Sequence, residues 1–162
     1  MKQFMHDLFL VAKKDLRIEM RSRVIINQVV PFAVLVLVLF GFALEADQKT
    51  LRAFSPGLFW IAVLLSLLLA IQRSVSLETA HYSLTGLKLA GLSPAAIFFG
   101  KSIAIFTQIV FLELLLTGGI IIFYGSVIED PALWVVAGLV TALAVSVTGT
   151  LYGALASGVE VR

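Results

Sequence analysis

The sequence predicts an all-α integral membrane protein: an amphipathic N-terminal interfacial helix followed by four transmembrane helices. Three observations carry that expectation. Of 162 residues, 60% are hydrophobic and 14% charged, a balance far from that of a soluble domain. Cutting the chain at its charged side chains leaves apolar stretches at 24–44, 53–72 and 131–159, and a fourth at 102–128 interrupted only by Glu113. Each reaches the ~20 residues that a spanning helix needs. Lys and Arg are split ten to two between alternate connections, as in a chain that crosses a membrane repeatedly. Too little remains for an independent catalytic domain, which excludes a soluble enzyme, a nucleic-acid binder and a disordered linker.

The elements follow in order. Within residues 1–23, Met5, Leu8, Phe9, Ala12 and Leu16 recur at helical spacing while Lys13, Arg17 and Arg21 form another face. The expected helix sinks its apolar side into the acyl boundary and lays its basic stripe on anionic headgroups, making lipid its first partner. Asp15 and Glu19, four residues apart, fall within the apolar arc. They read either as a solvated helix end or as an acidic contact for a cytoplasmic partner. The stretch 24–44 is too long for a signal-peptide core and is a retained span. Asn27, Gln28 and Pro31 sit in its first turns, where interfacial water satisfies the side chains and a missing amide is harmless.

Ser55-Pro56-Gly57 is expected to open span two (53–72) and set its angle, with Trp60 one turn deeper. In the connection 73–101, Leu77, Ala80, Leu84 and Leu87 mark one face of a short helix that ends at Gly91. Ser93-Pro94 then supplies an N-cap and first-turn proline. That short helix either lies on the membrane or docks into another protein.

In span three (102–128) Glu113 stands near mid-membrane, where an acid costs ~2.5–3.5 kcal/mol on insertion scales. It reads as an ion or substrate contact or gate, as an interhelical hydrogen bond, or as an acid brought to the interface by tilt. Thr117 lies one turn on, and Gly118-Gly119 admit a neighbouring helix. In span four (131–159), Gly138, Ala142, Ser146, Gly149, Gly153 and Ser157 form a ridge containing Gly149-x-x-x-Gly153. The ridge is expected to serve helix packing in general or a dimer seam.

Orientation comes from the basic residues. Ten lie in the N-terminal segment, the 73–101 connection and the C-terminus, and two, Lys49 and Arg52, in the opposite loops. Both termini and the 73–101 connection are therefore expected in the cytoplasm. The loops 45–52 and 129–130 are too short to bind a large ligand. With no cysteine and two histidines, His6 and His81, 75 positions apart, neither a thiol nucleophile nor a metal site is expected. No phosphate-binding loop or catalytic grouping stands out, so ATP, if used, is bound by another subunit.

The residues also resemble a family. The run Ser55-Pro56-Gly57-Leu58-Phe59-Trp60, continuing through Ser66 and Ala70 to Arg73, is similar to the Pro-Gly-x-x-Trp region of CcmB, the heme exporter protein B family. Leu84, Leu87 and Leu89, then Gly100-Lys101, Glu113-Leu114, Gly149-Thr150-Leu151 and Ala154-Leu155-Ala156 follow in the family's order. Thr85 stands where the family usually has an acid, Tyr82 where it has a glycine, and Gly91 where it has a proline. The resemblance implies an ABC-2-like permease, not an enzyme, in a bacterial-type inner membrane. Its implied partners are a separate ATPase resembling CcmA, with CcmC, CcmD and the heme chaperone CcmE. The implied role is to couple that ATPase either to heme export, with heme as transported substrate rather than bound cofactor, or to release of the heme-loaded chaperone without a heme path through this subunit. Family members continue after span four into two further spans, so the sequence is expected to be either incomplete, with Ser157–Arg162 leading into a fifth helix, or a shortened permease lacking the last two family helices. Leu77, Glu78, Ala80, Leu84, Leu87 and Lys88 are expected to dock into the ATPase, with Asp15 and Glu19 as a second contact. An ABC-2 permease for a lipid or glycan and a membrane scaffold without transport are the alternatives.

Overall fold

A computed structural model describes the backbone of residues 2–23, 25–43, 47–81 and 91–159, with side chains except at 2, 25, 70–81 and 156–159. Helix α1 spans Lys2–Ser22, α2 Val30–Ala43, α3 Gln48–His81, α4 Pro94–Tyr124 and α5 Pro131–Val159. Among the described residues, four segments are long and apolar enough to cross a membrane: Ile26–Ala43, Gln48–Leu69, Pro94–Tyr124 and Pro131–Leu155. The chain is an all-α, multi-pass membrane protein.

Three helices start on a side-chain cap. Asp47 Oδ1 accepts the Thr50 amide at 3.0 Å, Ser93 Oγ that of Ala96 at 3.2 Å, and Asp130 Oδ1 that of Leu133 at 3.0 Å. Each satisfies one of the amides that a helix start leaves unpaired. Pro94 and Pro131 occupy first-turn positions, where no amide is needed. At the far end of α4, Gly125 adopts φ 61° and its amide reaches the Ile120 carbonyl. Span three therefore ends at Tyr124, short of the expected residue 128.

The first span begins differently from a plain helix. Arg23 takes a left-handed φ of 52°, ends α1 through its amide bond to the Glu19 carbonyl at 3.0 Å, and turns the chain toward the span. Ile25–Val29 then forms a π-helical turn just ahead of Pro31. The proline ring would clash with the residue 27 carbonyl in a regular helix, and a wider turn makes room for it.

Span two is the largest correction. The helix starts at Gln48 and runs without a break to His81, so Pro56 lies inside it and does not open it. Pro56 cannot donate to the Arg52 carbonyl, its partner four residues back, and the Ser55 hydroxyl donates to that carbonyl at 2.8 Å instead. Residues 73–81 thus continue span two, and residues 94–101 already belong to α4. At 34 and 31 residues, α3 and α4 are ~51 and ~46 Å long, well beyond a hydrocarbon core of ~30 Å.

Helix α4 is the centre of the bundle and packs against α1, α2, α3 and α5. The core joins Val29, Ala33 and Leu37 of the first span, Phe59, Ala62 and Val63 of α3, Ile109, Leu112, Leu116 and Ile120 of α4, and Ala142 of α5. Gly119 lets α2 approach, since a Cβ there would stand 2.7 Å from Leu37 Cδ1. Buried Tyr124 donates its hydroxyl to the Leu37 carbonyl at 2.6 Å.

The N-terminal helix also departs from expectation. Leu8, Val11 and Ala12 are buried on α4 and not given over to the acyl boundary, with Phe4 edge-on to Phe99 at 6.4 Å. The cause is Gly100, at which a Cβ would lie 2.6 Å from Val11 Cβ and 2.8 Å from the Leu8 carbonyl. Only a bare backbone permits that approach. Met5 and Phe9 remain exposed.

Candidate functional site

Two constellations on α4 carry the polar chemistry of the described residues. The first is the seam with α5. Trp134, Gly138, Ala142, Ser146 and Thr150 recur every four residues and so lie along one side of α5. Trp134 Nε1 donates to Thr117 Oγ1 at 3.2 Å, and Thr117 Oγ1 donates to the Glu113 carbonyl at 2.7 Å. One turn further, the Glu113 carboxyl rests on Gly138, where a Cβ would be 2.9 Å from Oε2. Near the other end, Ser102 Oγ donates to Thr150 Oγ1 at 3.1 Å. A step of four along α5, from Trp134 to Gly138, matches a step of four back along α4, from Thr117 to Glu113, so the helices run antiparallel in one register.

Glu113 is 7% exposed, and its Oε1 has no hydrogen-bond partner. Ser66 Oγ on α3 is likewise buried without one. Beyond Trp134 the rings of Phe59 and Trp60 close the group, with centroids 4.7 Å and 6.5 Å from that of Trp134. A buried carboxyl oxygen left without a partner among apolar helices carries a desolvation cost that nothing described repays.

The second constellation holds α1 to α4. Lys101 Nζ lies 3.7 Å from Asp15 Oδ2, and Lys14 Nζ 3.0 Å from Oδ1. Asp15, expected either at a solvated helix end or as an acidic contact, thus pairs within the chain. The same approach of α1 to α4 that needs Gly100 brings the carboxylate onto the next residue, Lys101. Glu19 sits a turn further along α1, half-buried. Among the other expected site residues, Leu77, Glu78 and Ala80 fall on the last turns of α3, and Leu84, Leu87 and Lys88 lie outside the described residues. Gly149 and Gly153 have no described atom within 4 Å of a Cβ built on either. The ridge that packs on α4 continues through Thr150 in their place.

Sequence reasoning missed Lys101, Ser66 and the pairing of Trp134 with Thr117. The four-residue recurrence from Trp134 to Thr150 was the signal for the last of these. Nothing in the sequence marks Lys101 as the partner of Asp15, 86 positions away.

Comparison with known proteins gives the chain its relatives. The model of the CcmB protein family matches residues 6–162. Heme exporter protein B of Haemophilus influenzae is 34% identical, over 53% of this chain and 50% of that protein. The proteins of the same name from Escherichia coli K12 and Shigella flexneri are 30% identical, over 58% of this chain and 43% of theirs. The chain spans about half the length of the curated relatives it matches. No solved structure matches it significantly.

Proposed function

We propose, because the chain belongs to the CcmB protein family, that it is a permease subunit of a heme-export system acting in cytochrome c-type biogenesis in a bacterial inner membrane. The observation that carries this reading is the family match over residues 6–162, which takes in all four spans. A separate ATPase supplies the energy, and the connection after α3, with Leu77, Glu78, Ala80, Leu84, Leu87 and Lys88, is its docking element. A helix that continues a span past the bilayer transmits a push on its end to the membrane portion, as α3 does to His81. Both histidines, His6 and His81, lie outside the four spans. This supports a role in releasing a heme-loaded chaperone over one in ligating heme along a path through the spans.

The test is to express the tagged chain in a bacterium lacking its own heme exporter protein B, then assay c-type cytochromes by heme staining and identify the ATPase that co-purifies. Restored cytochromes and the ATPase of the maturation system are expected. Recovery of a lipid or glycan exporter's ATPase, or of no ATPase, would overturn the reading in favour of one of its alternatives. Within the complex, Leu84→Asp should release the ATPase while Lys88→Ala retains it, because a central apolar anchor outweighs a rim charge.

A further inference from the structure

We propose that Glu113 is an exchangeable proton site inside the membrane, roofed by Trp134 and Thr117 on the side away from α1. Four observations meet there. The residue is more than nine-tenths buried, Oε1 has no partner, Oε2 lies against the bare backbone of Gly138, and the aromatic group of Phe59, Trp60 and Trp134 gathers one turn along α5 from that glycine. Gly138 matters because any side chain there would meet the carboxyl. The pairing of the helices thus depends on a residue without a side chain at 138, opposite Glu113.

Ligand class follows from the donor set. Glu113 offers one unpartnered carboxyl oxygen; among the described residues the other buried unpartnered side-chain oxygens are Ser66 Oγ and Ser126 Oγ, of which Ser66 lies within a span and Ser126 beyond the end of α4. Ser66 lies seven residues along α3 from Phe59, whose ring centroid is 4.7 Å from that of Trp134; Gly138 lies four along α5 from Trp134. The hydroxyl is therefore about 5 Å deeper than the carboxyl along the bundle. Two oxygens at different depths are far short of the roughly six that a dehydrated metal cation takes. A proton needs only one.

No described side chain offsets a charge on this carboxyl. Helix α2 and residues 53–69 of α3 contain no titratable group, and on α5 the first is exposed Tyr152, some 21 Å along the helix from Gly138. On α4, Lys101 lies about 18 Å toward α1 and is paired with Asp15. Tyr124 lies about 16 Å the other way, its hydroxyl given to the Leu37 carbonyl. Glu113 can thus lose its proton only when the α4–α5 seam admits water or another base to accept it, so proton exchange reports seam opening.

An apolar carbodiimide tests this directly. The O–H of a neutral carboxylic acid adds across one C=N bond: the proton goes to nitrogen, the oxygen bonds to carbon, and acyl migration yields a stable N-acylurea with no leaving group. The full chain in liposomes is treated with dicyclohexylcarbodiimide at a series of pH values and mapped by mass spectrometry. An adduct on Glu113, forming at least tenfold faster than on exposed Glu129 and slowing as pH rises, is expected. Infrared spectra should show a neutral carboxyl C=O band that shifts in D2O, is lost in Glu113→Gln and is kept in Glu113→Asp. An inserted protein without the adduct, or one labelled at a rate independent of pH, would overturn the proposal, the second because the proton then never leaves. The assay contains neither heme nor ATPase, so its failure is separate from any failure of the permease reading.

Discussion

Helices α4 and α5 are almost equally apolar, yet 28% of the α4 span is buried inside the protein and 11% of the α5 span. The difference lies in neighbours. α4 is enclosed by α1, α2, α3 and α5, whereas α5 rests mainly on α4 and presents Leu133, Val140, Leu143 and Leu151 outward. In a bilayer both arrangements are equally acceptable to a leucine, because lipid tails are as apolar as a protein core. Hydropathy therefore locates both spans and ranks neither. Packing of the central helix depends instead on where small residues let another backbone close in, and the glycines of the two helices show opposite cases. Gly100 is pressed by α1, while Gly149 faces open space.

Matched substitutions at those two glycines should give the largest contrast. Gly100→Leu must displace Val11 and the Leu8 backbone, a loss of about 1–3 kcal/mol by overpacking, with α1 becoming sensitive to protease in detergent-solubilised protein. Gly149→Leu should change thermal stability by less than about 0.5 kcal/mol. Equal losses at both sites would mean that α5 has a tight partner after all. A smaller effect is expected from the ion pair that anchors α1 to α4 and has no counterpart on α5. A double-mutant cycle of Asp15→Asn and Lys101→Gln should show a coupling of about 1 kcal/mol, since the side chains are 19% and 13% exposed and Lys14 competes for the same carboxylate. A coupling of zero would leave Gly100 as the sole reason for the contact.

The smallest effect concerns helix starts. Hydrogen bonds from the Thr50 side chain and amide hold the Asp47 carboxyl below its ordinary range. A lowered folded-state value means that the stabilisation is complete above the unfolded value of about 3.9 and is lost as pH falls through the folded one. Amide exchange at the start of α3 should therefore accelerate only in acid below about pH 4, and Asp47→Asn should remove that dependence. Acceleration already at neutral pH would show that the carboxylate is not what caps α3.

The expectations that held rest on strong local chemistry. Ser93-Pro94 caps α4 as its residue types require. Pro56 misled, because a proline ahead of an apolar run reads as a beginning. What the pattern could not show is that the Ser55 hydroxyl would donate to the carbonyl that the proline leaves unpaired. Asp15 is a different case. Its place within an apolar arc is visible, but a partner 86 positions away becomes visible only once α1 has folded back on Gly100.

Membrane residence, the number of spans and the acid within the third were all legible in one dimension, since they follow from the length and polarity of runs against a bilayer of known thickness. The family could be read there too, from the Pro-Gly-x-x-Trp block and the order of the motifs after it. Three things were decided only in the folded chain: which span became central, which glycines became contacts, and what surrounds Glu113. Apolar helices in lipid gain little from mutual burial, and their arrangement is set by close backbone approach and by the few polar groups that must find partners. Those are pairings between distant residues such as Gly138 with Glu113 and Lys101 with Asp15, and they arise only when the helices meet.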